Sequence, residues 1–246
     1  MRVAAPPRPW VKVCGVTRPE DAALAMRLGA AFVGVNFWSG SKRRVELGAA
    51  REIRSALAEV TELVGVFVNE DPNRIAEVVA TVGLDRIQLH GDESDEVVAR
   101  FAARAFRALR AEGRVVELLD ACSNSPAENA TDARSACDSA LERTGLSLQW
   151  KASAVVLDSG SAGQRFGGTG EAWCWSRAAG LCAASPTPIL IAGGVGPETA
   201  REILDSTGAA GIDVASGIER SPGVKDRGMM ERLFEEVSRV RRDETT

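Results

Sequence analysis

Apolar residues recur along this chain in short runs separated by longer stretches of mixed character. Trp10 to Val13, Phe32 to Phe37, Leu63 to Val68, Arg86 to Leu89, Val115 to Leu119, Ala154 to Leu157, Ile189 to Ala192 and Gly211 to Val214 each read as a strand. Short apolar runs bounded by turn residues fit strands buried on both faces. The intervening stretches carry helix signals. Thr17 and Glu20 have capping-box spacing, Pro19 suits a first helical turn, and Gly29 supplies the stop. Further helices are predicted over Gly48 to Val60, Pro72 to Thr81, Asp95 to Ala111, Pro197 to Ser206 and Gly228 to Arg241, whereas Ala178 to Pro188 has weak periodicity.

Eight strand-like runs alternating with helices predict an α/β fold, a single (β/α)8 TIM barrel. One interval is longer than the rest. Asp120 to Ser153, the extended region between strands five and six, opens on a polar stretch and contains one helix-sized run, Ala127 to Arg143, with Ala136, Ala140 and Leu141 on its packed side. It is too short for a core of its own and reads as the fifth crossover with a long loop before it. Residues 1–246 are therefore expected to form one domain, with 1–9 as a flexible lead-in that lacks the apolar centre of a secretory signal.

Composition narrows the chemistry. The 246 residues are 45% hydrophobic and 26% charged, which excludes a disordered or multi-span membrane chain. Thirty Lys and Arg against 34 Asp and Glu leave a net charge of −4, so no global field draws the chain to nucleic acid or to an anionic membrane. The five cysteines form no CxxC pair, which suggests a reduced, cytoplasmic chain without a disulfide framework. His90 is the sole histidine, so histidines alone cannot build a zinc site and no metal is expected. Neither a GxGxxG nor a GxxxxGK[ST] word occurs.

Barrel geometry then selects candidates, because side chains of one parity point inward and catalytic groups sit at the C-terminal strand ends. That parity puts Lys12 and Cys14 on one face of the first strand, Gln88 and His90 on one face of the fourth, Asp158 at the end of the sixth strand and Asp213 near the end of the eighth, so that they converge on one mouth. A thiol beside a cation can act as a base, and a carboxyl at an apolar strand end can act as an acid. Such a pair suits isomerisation or enolisation better than Ser-His-Asp hydrolysis. Gly167, Gly168 and Gly170, then Gly193 and Gly194, then Ser216 and Gly217 follow the late strands. Small residues there let backbone N–H groups approach a phosphate. Arg43 offers a fork for a carboxylate.

The words VKVCGVTRPEDA at 11–22, VGVFVNE at 64–70, IQLHGDE at 87–93, VLDS at 156–159, GGTG at 167–170, IAGGVGPE at 191–198 and DVASGIERSPGVKD at 213–226 give the chain a resemblance to the phosphoribosylanthranilate isomerases of tryptophan biosynthesis. The resemblance covers Val11 to Phe234. It implies a cofactor-independent Amadori rearrangement of a small phosphorylated substrate, with Asp158 as general acid, Cys14 as general base and Arg43 at the anthranilate moiety. It also implies phosphate binding near Gly168, Gly194, Ser216 and Gly217, Asp213 at a polar strand end, and a monomer or homodimer. Departures from the family pattern are Asn36 at a usually apolar position, Arg44 where an aromatic residue often follows Arg43, Ala215 in place of serine, and a fifth strand ending ELLDA without the frequent lysine. The related isomerases of histidine biosynthesis, which commonly carry aspartate where Cys14 stands, and a catalytically silent barrel are the alternatives.

Overall fold

In the computed structural model, residues 8–123, 137, 139–140, 152–159 and 175–240 are described. Eight strands close into a barrel in the order β1 to β8: β1 (Trp10–Val13), β2 (Phe32–Asn36), β3 (Glu62–Phe67), β4 (Arg86–Leu89), β5 (Ala105–Arg110), β6 (Ala154–Asp158), β7 (Ile189–Ala192) and β8 (Gly211–Val214). Every neighbouring pair is parallel, and β8 closes the ring on β1 with Trp10 opposite Gly211 and Lys12 opposite Asp213. The helices are α1 (Pro19–Leu28), α2 (Leu47–Ser55), α3 (Pro72–Val82), α4 (Asp95–Arg100), α5 (Arg114–Ser123), α6 (Ala179–Ala184), α7 (Ala200–Thr207) and α8 (Arg227–Ser238). A hairpin, β9 (Glu219–Ser221) with β10 (Val224–Lys225), follows the short 3-10 turn at Ser216–Ile218.

Alternation sorts each strand between two cores. Phe32, Val64, Phe106, Ala108, Ala154, Val156, Leu190 and Ala192 pack together inside the ring. Residues of the other parity, such as Val11, Val33, Leu63, Ile87, Val155 and Ile191, pack outward under the helices. Trp10, Phe32 and Phe106 plug the N-terminal end of the barrel with edge-to-face contacts at 5.6 and 5.0 Å between centroids, an arrangement that satisfies the ring quadrupoles. The C-terminal end is left to polar groups.

The fifth unit differs from the sequence expectation. The predicted helix over Asp95 to Ala111 stops at Arg100, and its remainder is β5; the predicted strand Val115 to Leu119 lies within α5. Both segments are short and apolar, and periodicity separates them only when every position is placed. Ala105 and Leu109 face outward while Phe106 and Ala108 face inward, which is the alternation of a strand. Val115, Leu118, Leu119 and Cys122 are buried at helical spacing. The extended region between strands five and six therefore begins after Arg110. The ELLDA segment is helical, and its comparison with a strand end falls away. The helix expected over Ala127 to Arg143 lies mostly outside the described residues, although Ala140 is buried.

Smaller corrections have local causes. Thr17 does not cap α1: Arg18 is the N-cap residue, without a side-chain cap, and the Thr17 hydroxyl donates instead to the Gly223 carbonyl at 2.6 Å. Pro19 does open the helix, and Gly29 closes it at φ 99°. Helices α2 and α8 end before Val60 and Arg241. Cys122 and Cys137 are joined as a disulfide, against the expectation of five reduced thiols; their Cα atoms lie 4.9 Å apart, a proximity across a crossover that spacing in the chain does not reveal. Cys14 and Cys182 are free. No helix among the described residues is long and apolar enough to cross a membrane.

Ring closure depends on Gly211, where a Cβ would stand 2.2 Å from the Trp10 carbonyl oxygen. Gly211→Ala is expected to destabilise the barrel by about 1–3 kcal/mol through overpacking. In a chain of this size that lowers Tm by roughly 2–10 °C, measurable by calorimetry; an unchanged Tm would show that β1 and β8 separate freely.

Candidate active site

The C-terminal mouth of the barrel opens into a cavity of about 680 Å³ whose lining includes Cys14, Arg43, Asp158, Gly194, Asp213 and Ser216. Six of the expected site residues thus meet in one place. Gly217 stands beside it, so close to the preceding loop that a Cβ would fall 2.0 Å from the Val195 carbonyl oxygen. Gly168 lies outside the described residues. Asn36 and Ala215, two of the departures from the family pattern, line the cavity, whereas Arg44 turns to an ion pair with Glu46 at 3.0 Å.

The first strand delivers two chemical groups to the axis. Lys12 is fully buried, and its ammonium donates to Asp213 Oδ2 at 2.8 Å. Burial works against that charge, but Asp213 and Cys14 outweigh it and hold the lysine above its ordinary pKa. Cys14 follows two residues later. Gly34 makes room for both, since a Cβ there would lie 3.0 Å from Cys14 Sγ and 3.2 Å from Lys12 Nζ. Burial pushes the thiol above its ordinary value and Lys12 only partly offsets this. The thiolate is therefore scarce near neutrality and strongly basic once formed. The second oxygen of Asp213, Oδ1, is buried with no hydrogen-bond partner among the described residues. A buried carboxylate oxygen at a cavity wall is a waiting acceptor.

Asp158 ends β6 and meets a chain of groups from β4. Its Oδ2 is 3.3 Å from His90 Nε2, and His90 Nδ1 is 2.7 Å from Gln88 Nε2. With the Gln88 amide donating, Nδ1 accepts and the imidazole proton resides on Nε2, directed at Asp158. His90 and Gln88 share the inward face, as alternation predicts. The side of the mouth formed by β7 and β8 carries Gly193 and Gly194 at φ 80° and 67°. At Gly193 a Cβ would collide with Ser159 Oγ at 2.0 Å and approach Asp158 Oδ1 at 2.9 Å. Only glycine tolerates that conformation and that proximity.

Sequence reading missed the scaffold of the opposite rim. Arg43 packs on Gly15, where a Cβ would meet its Cδ at 2.4 Å, and donates through Nε and Nη2 to Glu219 at 2.7–3.1 Å. Glu219 also accepts from Lys225 at 2.9 Å, and Lys225 Nζ donates to the carbonyls of Cys14 at 2.5 Å and Ala215 at 3.0 Å. The hairpin β9–β10 thereby ties the strand end that carries Cys14 to the loop after β8. Both residues lie within the DVASGIERSPGVKD word, so the signal was present, but its partners are 176 and 211 positions away. Arg110, on the inward parity of β5, also lines the cavity; it escaped notice because its strand was misplaced.

A thiol and a carboxyl at separate strand ends, facing one polar cavity beside glycine-rich loops, are the arrangement of a (β/α)8-barrel enzyme. The model of the N-(5′-phosphoribosyl)anthranilate isomerase family matches residues 11–155 and 134–236. The Myxococcus xanthus N-(5′-phosphoribosyl)anthranilate isomerase is 36% identical over 88% of this chain and 90% of its own. The crystal structure of the Thermus thermophilus enzyme superposes with a TM-score of 0.70 at 32% identity, covering 94% of this chain and all of that one. A structure in complex with reduced 1-(o-carboxyphenylamino)-1-deoxyribulose 5-phosphate superposes at 0.68 with 27% identity, covering 93% and 98% of the two chains. The chain belongs to the N-(5′-phosphoribosyl)anthranilate isomerase family.

Glu219 supplies the pH dependence of this rim. Burial raises its pKa, but the hydrogen bonds from Arg43 and Lys225 prevail and leave it below its ordinary 4.5. The folded value is thus lower than the unfolded one, so its stabilisation is complete above about pH 4.5 and disappears as pH falls through the folded value. Glu219→Gln is expected to lose about 1–3 kcal/mol at pH 7 and to flatten the acid limb of a Tm-against-pH curve; an acid limb as steep as wild type assigns that dependence to other carboxylates.

Proposed function

We propose that Cys14 and Asp158 divide the proton transfers of an intramolecular aldose–ketose isomerisation, the step in tryptophan biosynthesis that converts N-(5′-phosphoribosyl)anthranilate to 1-(2-carboxyphenylamino)-1-deoxyribulose 5-phosphate. The observation that carries the assignment is their convergence, from β1 and β6, on the cavity that also holds the glycine loops. Asp158 donates a proton to the furanose ring oxygen as the bond from that oxygen to C1 breaks, leaving a protonated imine between C1 and the anilino nitrogen. Cys14, as thiolate, takes the proton from C2, and the electron pair moves into an enolamine. Ketonisation then places a proton on C1 and releases one from the C2 hydroxyl, so the substrate ends with the atoms it began with. The acid regains its proton within the cycle.

The remaining residues position the substrate. The backbone around Gly194, Ser216 and Gly217, with Gly168, holds the phosphate. Asp213 Oδ1 accepts a hydrogen bond from the sugar or the anilino nitrogen, and Lys12, paired with Asp213, counters the charge of the Cys14 thiolate. Arg43 stands at the anthranilate moiety. Its Nε–Nη2 edge is already occupied by Glu219, so only the outer Nη edge is presented to the substrate. Electrostatic positioning with two proton-transfer groups requires no cofactor and no metal. The same reading takes residues 1–246 as one cytoplasmic barrel domain, monomeric or homodimeric, acting on a small molecule without nucleic acid or membrane.

Freshly generated phosphoribosylanthranilate, followed by its fluorescence in buffer stripped of divalent ions, tests the assignment. Wild type is expected to turn over at full rate. Cys14→Ala and Asp158→Asn should each lose about 10²–10⁴ of kcat while retaining affinity for the reduced product analogue. With deuterium at C2, slowed deuteron removal is expected in the Cys14 variant; near-parent turnover of Cys14→Ala sinks the thiol as base, and metal-dependent restoration of a stripped enzyme sinks the metal-free mechanism.

A further inference from the structure

Cys14 lies one residue beyond β1, yet both of its backbone polar groups are anchored. Its N–H donates to the Val214 carbonyl at 2.8 Å, and its carbonyl accepts from Lys225 Nζ at 2.5 Å. The Lys225 side chain is fully buried, and its ammonium also donates to the Ala215 carbonyl at 3.0 Å and to Glu219 Oε1 at 2.9 Å. An ammonium has three N–H groups, so these contacts use them all and leave none for a ligand. The Lys225 backbone N–H donates to Asp21 Oδ2 at 3.1 Å, and Asp21 is itself gripped by Arg18 at 2.7 and 3.0 Å. Lys225 is therefore pinned at its backbone by α1 and at its tip by the strand end that carries the thiol.

Charge points the same way. Among the described residues, Lys12 on β1, Asp213 on β8, Arg43 after β2 and Lys225 on β10 act electrostatically on the thiol. Glu219 on β9 faces Arg43 and Lys225, and Asp158 on β6 lines the same cavity beside His90. Lys12 is matched by Asp213 at 2.8 Å and Arg43 by Glu219 at 2.7 Å. Lys225 shares Glu219 with Arg43, and burial leaves its pKa below the ordinary value. A buried cation with a shared counter-ion gains from a further anion nearby, and loss of the Cys14 proton supplies one. We propose that Lys225 is a positioning residue for Cys14, fixing the direction of the thiol through the Cys14 carbonyl and setting a second positive charge, after that of Lys12, beside the sulfur. Its effect on turnover rests on Cys14 as the base, whereas its effect on the thiol does not.

Alkylation of Cys14 by iodoacetamide, followed across pH by mass spectrometry of the peptide that bears it, reads the thiol without substrate. Lys225→Met and Lys225→Gln remove the charge and are expected to move the alkylation profile to higher pH by about 0.5–1.5 units, carrying the rising limb of kcat/KM with it. At pH 7 kcat should fall about 3- to 30-fold, the thiolate fraction lost in such a shift, while KM stays within about twofold. Lys225→Arg, which keeps the charge, should remain near the wild-type profile. An unshifted alkylation profile in the uncharged variants overturns the proposal and leaves the isomerase reading intact. Failure of both uncharged variants to fold also overturns it, because the lysine is then a determinant of the fold alone. A shifted alkylation profile with unchanged kcat upholds the action of Lys225 on the thiol and overturns Cys14 as the base.

Discussion

A buried ammonium governs the architecture of this site. Lys12 projects into the axis of a closed barrel with no access to water, so it has to find an anion within the ring, and Asp213 on the neighbouring strand provides it at 2.8 Å. Parallel pairing of β1 with β8 sets Lys12 directly opposite Asp213, so the ion pair and the closure of the ring specify the same register. A shift of one residue would turn the lysine outward into the apolar layer beneath the helices. The pair also leaves one carboxylate oxygen without a hydrogen-bond partner among the described residues at the cavity wall, and it sets a positive charge beside a thiol whose pKa burial raises, an effect that the charge only partly offsets.

A second charged cluster extends this control to the rim. Lys225 binds two backbone carbonyls, one after β1 and one after β8, and Glu219 joins Lys225 to Arg43. Burial alone would lower the affinity of Lys225 for its proton, and it does prevail there, which makes the negative partner essential to keeping the cluster ionised. The strand end that carries Cys14, the loop after β8 and Arg43 are therefore held by one network.

Much of this was legible along the chain. Seven of the eight barrel strands lie where short apolar runs place them, because a strand buried on both faces must be apolar at nearly every position. Parity alone brought Lys12, Cys14, Gln88, His90, Asp158 and Asp213 to the axis, since a period of two is set by backbone geometry and needs no knowledge of neighbours. The fifth unit was misread for the same physical reason that the others succeeded: AFRALR and VVELL are both short and apolar, and only packing shows that one alternates and the other winds.

What the sequence by itself determined is the fold class, the placing of Cys14 and Asp158 at their strand ends, and the family. The tertiary structure alone decided which charges meet. Arg43 is remote in sequence from Glu219, as Lys225 is from the Cys14 carbonyl, and backbone periodicity carries no information about partners across such distances. An ion pair depends on burial as well as on proximity, and both are properties of the closed barrel, absent from any local stretch of chain.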